Sequence, residues 1–203
     1  MADRRHTARD LAQIAVFAAL IAALGLPGGI NLGSNGGVPI TFQTLGVMLA
    51  GAILGPYKGV LAVLLFDVLT FAGLPLLSGG RGGPAWFTTA ASAGYPWGFL
   101  VGAFVIGYFT QRILPRYSLV PAYLITAIGG TVGIYVIGVP MTAINTKLTL
   151  WQAITGSGLY LPGDLIKAAV TVAIASQVHR AYPGIMGDRR RRRAVSSTTG
   201  QRV

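Results

Sequence analysis

The chain has 203 residues, 53% of them hydrophobic and only 10% charged, against about 25% charged in a soluble domain. Its net charge of +11 gathers in the flanks, above all in the arginines at 189–193, so residues 11–178 form an apolar middle too poor in charge for a soluble core. The chain therefore reads as an all-α integral membrane protein. A basic patch with interleaved aromatics is missing, which excludes nucleic acid as a partner. The lack of cysteine excludes disulfides, thiol catalysis and zinc–thiolate sites. His6 and His179 both fall in the flanks, so neither a metal centre nor a cofactor is expected.

In chain order, residues 1–10 are a basic N-terminus, followed by a membrane domain over 11–178 with six spans at about 11–26, 38–55, 57–75, 88–110, 118–139 and 159–178. Each is near the roughly 20 apolar residues that cross a bilayer. The first resembles a secretory signal in its basic lead, but without a small-residue cleavage site it is read as a retained helix. Within it Ala15, Ala19 and Ala23 recur every four residues, a spacing that lets helices approach closely in lipid and offers a face to another membrane protein. The second span is diluted at its start by Thr41, Gln43 and Thr44. Residues 179–203 form a basic tail, expected to be disordered and to lie against anionic lipid headgroups.

Six spans place both termini on one side. Thirteen of the 16 Lys and Arg then share that side, with only Arg81 and Lys147 opposite and Lys167 inside the sixth span. By the positive-inside rule both termini are cytoplasmic. The connections on the far side, 27–37, 74–87 and 140–158, are longer and rich in Gly, Pro and Asn, as a lid or binding loop would be. No internal repeat supports an inverted-repeat transporter.

Ionisable residues within spans mark functional sites by default. Asp164 and Lys167, at i and i+3, share one helix face in the outer third of the sixth span and are read either as a structural ion pair or as a ligand site. Gln43, Ser92, Tyr95 and Trp97 fall at the same depth and Arg81 in a loop just above it, while the inner halves of the spans stay aliphatic. The pattern is a cup opening outward. Asp67 lies nearer mid-depth and is read as a structural acid hydrogen-bonded to a neighbouring helix, with a place in the pocket floor as the alternative.

The stretch Val38-Pro39-Ile40-Thr41-Phe42-Gln43-Thr44-Leu45, then Gly73-Leu74-Pro75, Gly94-Tyr95-Pro96-Trp97-Gly98-Phe99 and Leu161-Pro162-Gly163-Asp164-Leu165-Ile166-Lys167 resembles, in order, the BioY family. These are biotin-binding S-components of energy-coupling factor (ECF) transporters, and the likeness covers about residues 38–170. The resemblance implies a compact six-helix bundle in the cytoplasmic membrane, with its substrate pocket near the extracytoplasmic face. It also implies biotin as substrate, and as partners a transmembrane coupling subunit docked on Ala15, Ala19 and Ala23 together with two ATPases. No GxxxxGK[ST] motif occurs, so ATP hydrolysis would belong to those partners. For biotin, Asp164 is expected to accept from the ureido N–H groups, and Lys167 to donate to the ureido oxygen or to Asp164. Tyr95 and Trp97 would wall the apolar ring, Gln43 or Asn145 would add hydrogen bonds, and Arg81 would close over the carboxylate. Two departures stand out: Ala90-Ala91-Ser92-Ala93 replaces a Gly-Pro-Thr-Gly stretch, and Asp67 sits where an apolar residue is expected.

Three other readings compete. One is an S-component for thiamine or riboflavin. Another is an intramembrane aspartyl enzyme using Asp67 and Asp164, which would require the two acids to share a proton. The third is a membrane scaffold with no ligand.

Overall fold

The computed structural model describes residues 2–30 and 38–186, with the side chains of residues 2–6 left aside. The basic run at 189–193, its proposed lipid contact and most of the 27–37 connection lie outside the described residues. The elements are α1 (Ala2–Ala23), α2 (Gln43–Phe71), α3 (Ala85–Thr88), α4 (Gly94–Ile113), α5 (Leu119–Thr146), α6 (Leu150–Ser157), a 3-10 turn (Gly158–Tyr160) and α7 (Leu161–Ala181). Among the described residues the only β pairing is two isolated bridges, Ile30 with Ile40 and Leu77 with Arg81. Three helical stretches, Gln43–Phe71, Leu119–Thr146 and Leu150–Ala181, are long and apolar enough to cross a membrane.

α2 is not a straight rod. Gly55 has φ 83° and ψ −177°, a conformation open to glycine and strained for other residues, and Pro56 follows it with no N–H to continue the ladder. A Cβ on Gly59 would lie 2.9 Å from the Ala50 carbonyl oxygen, whereas nine residues of continuous helix would separate them by about 13 Å. The chain therefore folds back at Gly55 into two antiparallel legs, 43–54 and 56–71. The carbonyl of Ala52 is the one that a Pro56 N–H would have met, and His179 Nε2 stands 2.9 Å from it.

Glycines set the close contacts. On α4, Gly94 lies against Ile137 and Met141 of α5, Gly98 against Ile134 and Gly102 against Gly129, so α4 and α5 run antiparallel. A Cβ on Gly98 would collide with the Ile134 carbonyl oxygen. α4 runs parallel to the first leg of α2, with Gly51 on Ala103 and Gly107 on Gly55. α1 runs antiparallel to that leg, placing Ile21 on Gly46 at one end. At the other end Lys58 donates to Asp10, Gln13 and the Ile185 carbonyl.

The helices differ from the expected limits where Pro or Gly misled. α5 continues through Pro140 to Thr146, because the backbone of a membrane helix tolerates a proline that its neighbours cover. The expected 140–158 connection contains α6, and the 74–87 connection contains the start of α3.

Candidate functional site

The start of α2 is preceded by non-helical backbone over 38–42. Irregular backbone among apolar helices survives only where it is buried in protein or lines a cavity, since its carbonyls need donors. Tyr160 Oη donates to the Val38 oxygen at 2.9 Å, and Lys167 Nζ donates to the Thr41 oxygen at 2.6 Å. The unwound segment, α7 and the 3-10 turn are thus tied together around an open-mouthed pocket. It is lined by that segment with Gln43 and Thr44, by Leu77 and Arg81, by Ser92, Tyr95, Pro96 and Phe99 from around the start of α4, and by Tyr135, Tyr160, Asp164 and Lys167.

At its floor Asp164 and Lys167, 2% and 8% exposed, form an ion pair at 3.0 Å. All three ammonium protons of Lys167 have acceptors: Asp164 Oδ1, the Thr41 oxygen and Thr44 Oγ1 at 2.9 Å. Thr44 in turn donates to Asp164 Oδ1 at 3.3 Å, and Tyr135 donates to Oδ2 at 2.5 Å. The pair is neutral as a unit, as a buried ion pair must be to avoid a large desolvation cost. Oδ2, with a single donor, keeps acceptor capacity. Tyr95, Tyr135 and Tyr160 meet edge to face at centroid distances of 6.2 to 6.4 Å and form an aromatic wall above the pair. Tyr95 Oη is within 3.4 Å of Ser157 Oγ.

The remaining sequence candidates divide. Arg81 lines the mouth, its Nε donating to the Ser78 oxygen at 2.6 Å and its guanidinium carbon 4.6 Å from the centroid of the Trp86 ring. Partial burial lowers its pKa from the ordinary value, which still leaves a cation at neutral pH. Gln43 lines the pocket, but its amide is committed to the fold: Nε2 donates to the Leu76 oxygen at 3.0 Å and Oε1 accepts from the Ser78 N–H at 3.0 Å. Trp97 is a correction, since it does not line the pocket. Two residues along a helix turn about 200°, so with Tyr95 facing inward Trp97 is 44% exposed and donates to the Phe87 oxygen. Asn145 is also outside the pocket and instead clamps the Thr88 and Ala90 carbonyls at 3.0 and 2.8 Å. With Thr142 on the Ala91 oxygen at 2.7 Å, it pins the stretch that presents Ser92. Ala15, Ala19 and Ala23 lie on the exposed side of α1.

Asp67 and Asp164 share no proton: Asp164 is held as above, and both oxygens of Asp67 are buried without a partner among the described residues. Thr44, Tyr135 and Tyr160 line the pocket without a sequence signal that marks them as ligand contacts. A mid-span tyrosine has the same composition signal as core, and only the helix phase relative to Asp164 separates the two.

A sequence model of the BioY family matches residues 1–184. The biotin transporter BioY of Rhizobium etli is 43% identical over 180 residues, covering 86% of this chain and 95% of that protein. The biotin transporter BioY of Rhodobacter capsulatus is 40% identical over 191 residues, covering 88% and 97%. Among solved structures, the S-component for biotin from an ECF-type ABC transporter superposes with a TM-score of 0.82 at 31% identity, covering 87% of this chain and 93% of that one.

Proposed function

The chain belongs to the BioY family, and on that premise we propose that it binds biotin and carries it across the membrane as the substrate-specific subunit of an ECF-type transporter. It is a transport subunit, not an enzyme. The observation that carries this reading is the neutral Asp164–Lys167 pair in an aromatic pocket, its ammonium fully hydrogen-bonded and Asp164 Oδ2 still able to accept.

Biotin presents two ureido N–H donors, a ureido oxygen, an apolar thioether ring and a carboxylate. The spare acceptor capacity of Asp164 Oδ2 suits a ureido N–H. Tyr95, Tyr160 and Phe99 suit the apolar ring, and the Arg81 guanidinium at the mouth suits the carboxylate, where charge-assisted pairing is strong. A paired floor favours an uncharged head group. A cation such as thiamine would meet a carboxylate already neutralised by Lys167.

Six crossings follow if α1, each leg of α2, α4, α5 and α7 spans the bilayer. Lys58, Arg112, Arg116 and Arg180 then cluster at the end away from the pocket, and Arg81 and Lys147 at the pocket end. The positive-inside rule makes the pocket extracytoplasmic and both termini cytoplasmic. The exposed Ala15, Ala19 and Ala23 of α1 would receive the transmembrane coupling subunit, with two ATPases below it, and the basic tail would lie on anionic lipid.

The test is competition on the purified chain in detergent. Labelled biotin is expected to bind and to be displaced by unlabelled biotin, while thiamine and riboflavin leave it in place. Displacement by either of those vitamins, or no binding of biotin, would refute the assignment.

A further inference from the structure

α6 divides its surface into three sectors. At 100° per residue, Leu150, Ile154 and Trp151 occupy one arc of about 100°, and they are 54%, 47% and 71% exposed. Gln152 and Thr155 occupy the next arc and are also exposed, while Ala153, Gly156 and Ser157 occupy the third and are buried. The buried arc packs on α5, where Ala153 joins Val139 and Ala143. A helix in water needs two sectors, core and solvent. Three sectors (protein, apolar, polar) fit a helix lying where protein, hydrocarbon and water meet.

Two further features agree. The helix is capped from within: Thr149 and Gln152 form a reciprocal capping box, and the Gly158 N–H reaches the carbonyls of the last turn. The N–H groups of Thr149 and Gln152 are thereby paired within the chain. Leu159, Leu161 and Ile166 beyond the helix and Ile144 on α5 are apolar and exposed as well. The flanking Lys147 is a headgroup-level residue by its long charged stem.

We propose that α6 is an interfacial anchor, inserted at the boundary between headgroups and acyl chains of the leaflet on the pocket side, with Trp151 as its principal lipid contact. Bilayer phospholipid is thereby a structural partner of the site. α6 leads directly into the 3-10 turn that carries Tyr160, and its Ser157 meets Tyr95, so the lipid interface holds one wall of the pocket. The stretch Leu150–Ala181 is then one crossing, α7, preceded by a surface helix, and not a single long span. The inference rests on the membrane character of the chain and not on which ligand the pocket takes.

The chain has no cysteine, so single cysteines read the sectors directly. Ile154→Cys, Gln152→Cys and Thr155→Cys, each spin-labelled in phosphatidylcholine liposomes with reagents on both sides, are compared for relaxation by oxygen and by a water-soluble nickel chelate. Oxygen should dominate at 154 and nickel at 152 and 155. Nickel access at 154 equal to that at 152 and 155 would overturn the proposal. The unlabelled protein supplies a second reading. Lipids brominated high on the acyl chain should quench wild-type fluorescence by a larger fraction than that of Trp151→Phe. Equal fractional quenching, with Trp151 open to an aqueous quencher, would overturn it as well.

Discussion

Among the described residues two carboxylates are buried among the helices, and they lie in opposite circumstances. Asp164 has a cation at 3.0 Å, a threonine and a tyrosine on its oxygens, and a cavity beside it. Asp67 has neither oxygen paired among the described residues and does not line the pocket. Burial alone therefore does not make a site in this molecule. A carboxylate becomes useful for binding when its charge is already neutralised and one lone pair still faces an opening, because the ligand then displaces no counter-ion.

The comparison can be broken at several points. The largest effect belongs to the pair itself. Lys167→Ala leaves Asp164 buried without its cation, and the loss of biotin affinity should be about 2–5 kcal/mol, as for other broken buried charge pairs, measured by equilibrium binding in detergent. Tyr135→Phe removes one charge-assisted hydrogen bond, so a smaller loss of about 1.5–3 kcal/mol is expected in the same assay. Arg81→Gln should weaken biotin while leaving an uncharged biotin amide nearly unaffected, since only the carboxylate loses its partner. Equal weakening of both ligands would place Arg81 in a structural role. At the small end, Asp67→Leu should leave biotin affinity unchanged and raise the thermal midpoint, because removing two unsatisfied buried oxygens relieves about 1–3 kcal/mol. A loss of affinity in that variant would erase the contrast between the two acids.

How far the sequence carried this reading depends on the kind of signal. Charge scarcity and the positions of Lys and Arg mark the membrane class, and the i, i+3 spacing of Asp164 and Lys167 by itself puts them on one helix face. Helix phase is different. Tyr95 and Trp97 are equally aromatic neighbours, and only the rotation of α4 against α5, set by Gly94 and Gly98 on Ile137 and Ile134, turns one inward and the other outward. Gln43 and Asn145 show the matching difficulty for amides. Both are polar at the right depth, yet their groups are taken by the carbonyls of Leu76, Thr88 and Ala90, partners that sequence spacing does not reveal. The fold-back at Gly55 is legible as the break between the spans at 38–55 and 57–75, whereas α6 lies inside 140–158, whose Gly and Pro content reads as loop.

The most direct measurement is a titration of labelled biotin into the detergent-solubilised chain, wild type beside Asp164→Asn. Saturable binding to wild type and at least a tenfold weaker fit for the variant, about 1.4 kcal/mol, is the expected result. Indistinguishable isotherms for the two proteins would contradict a site built on the Asp164–Lys167 pair.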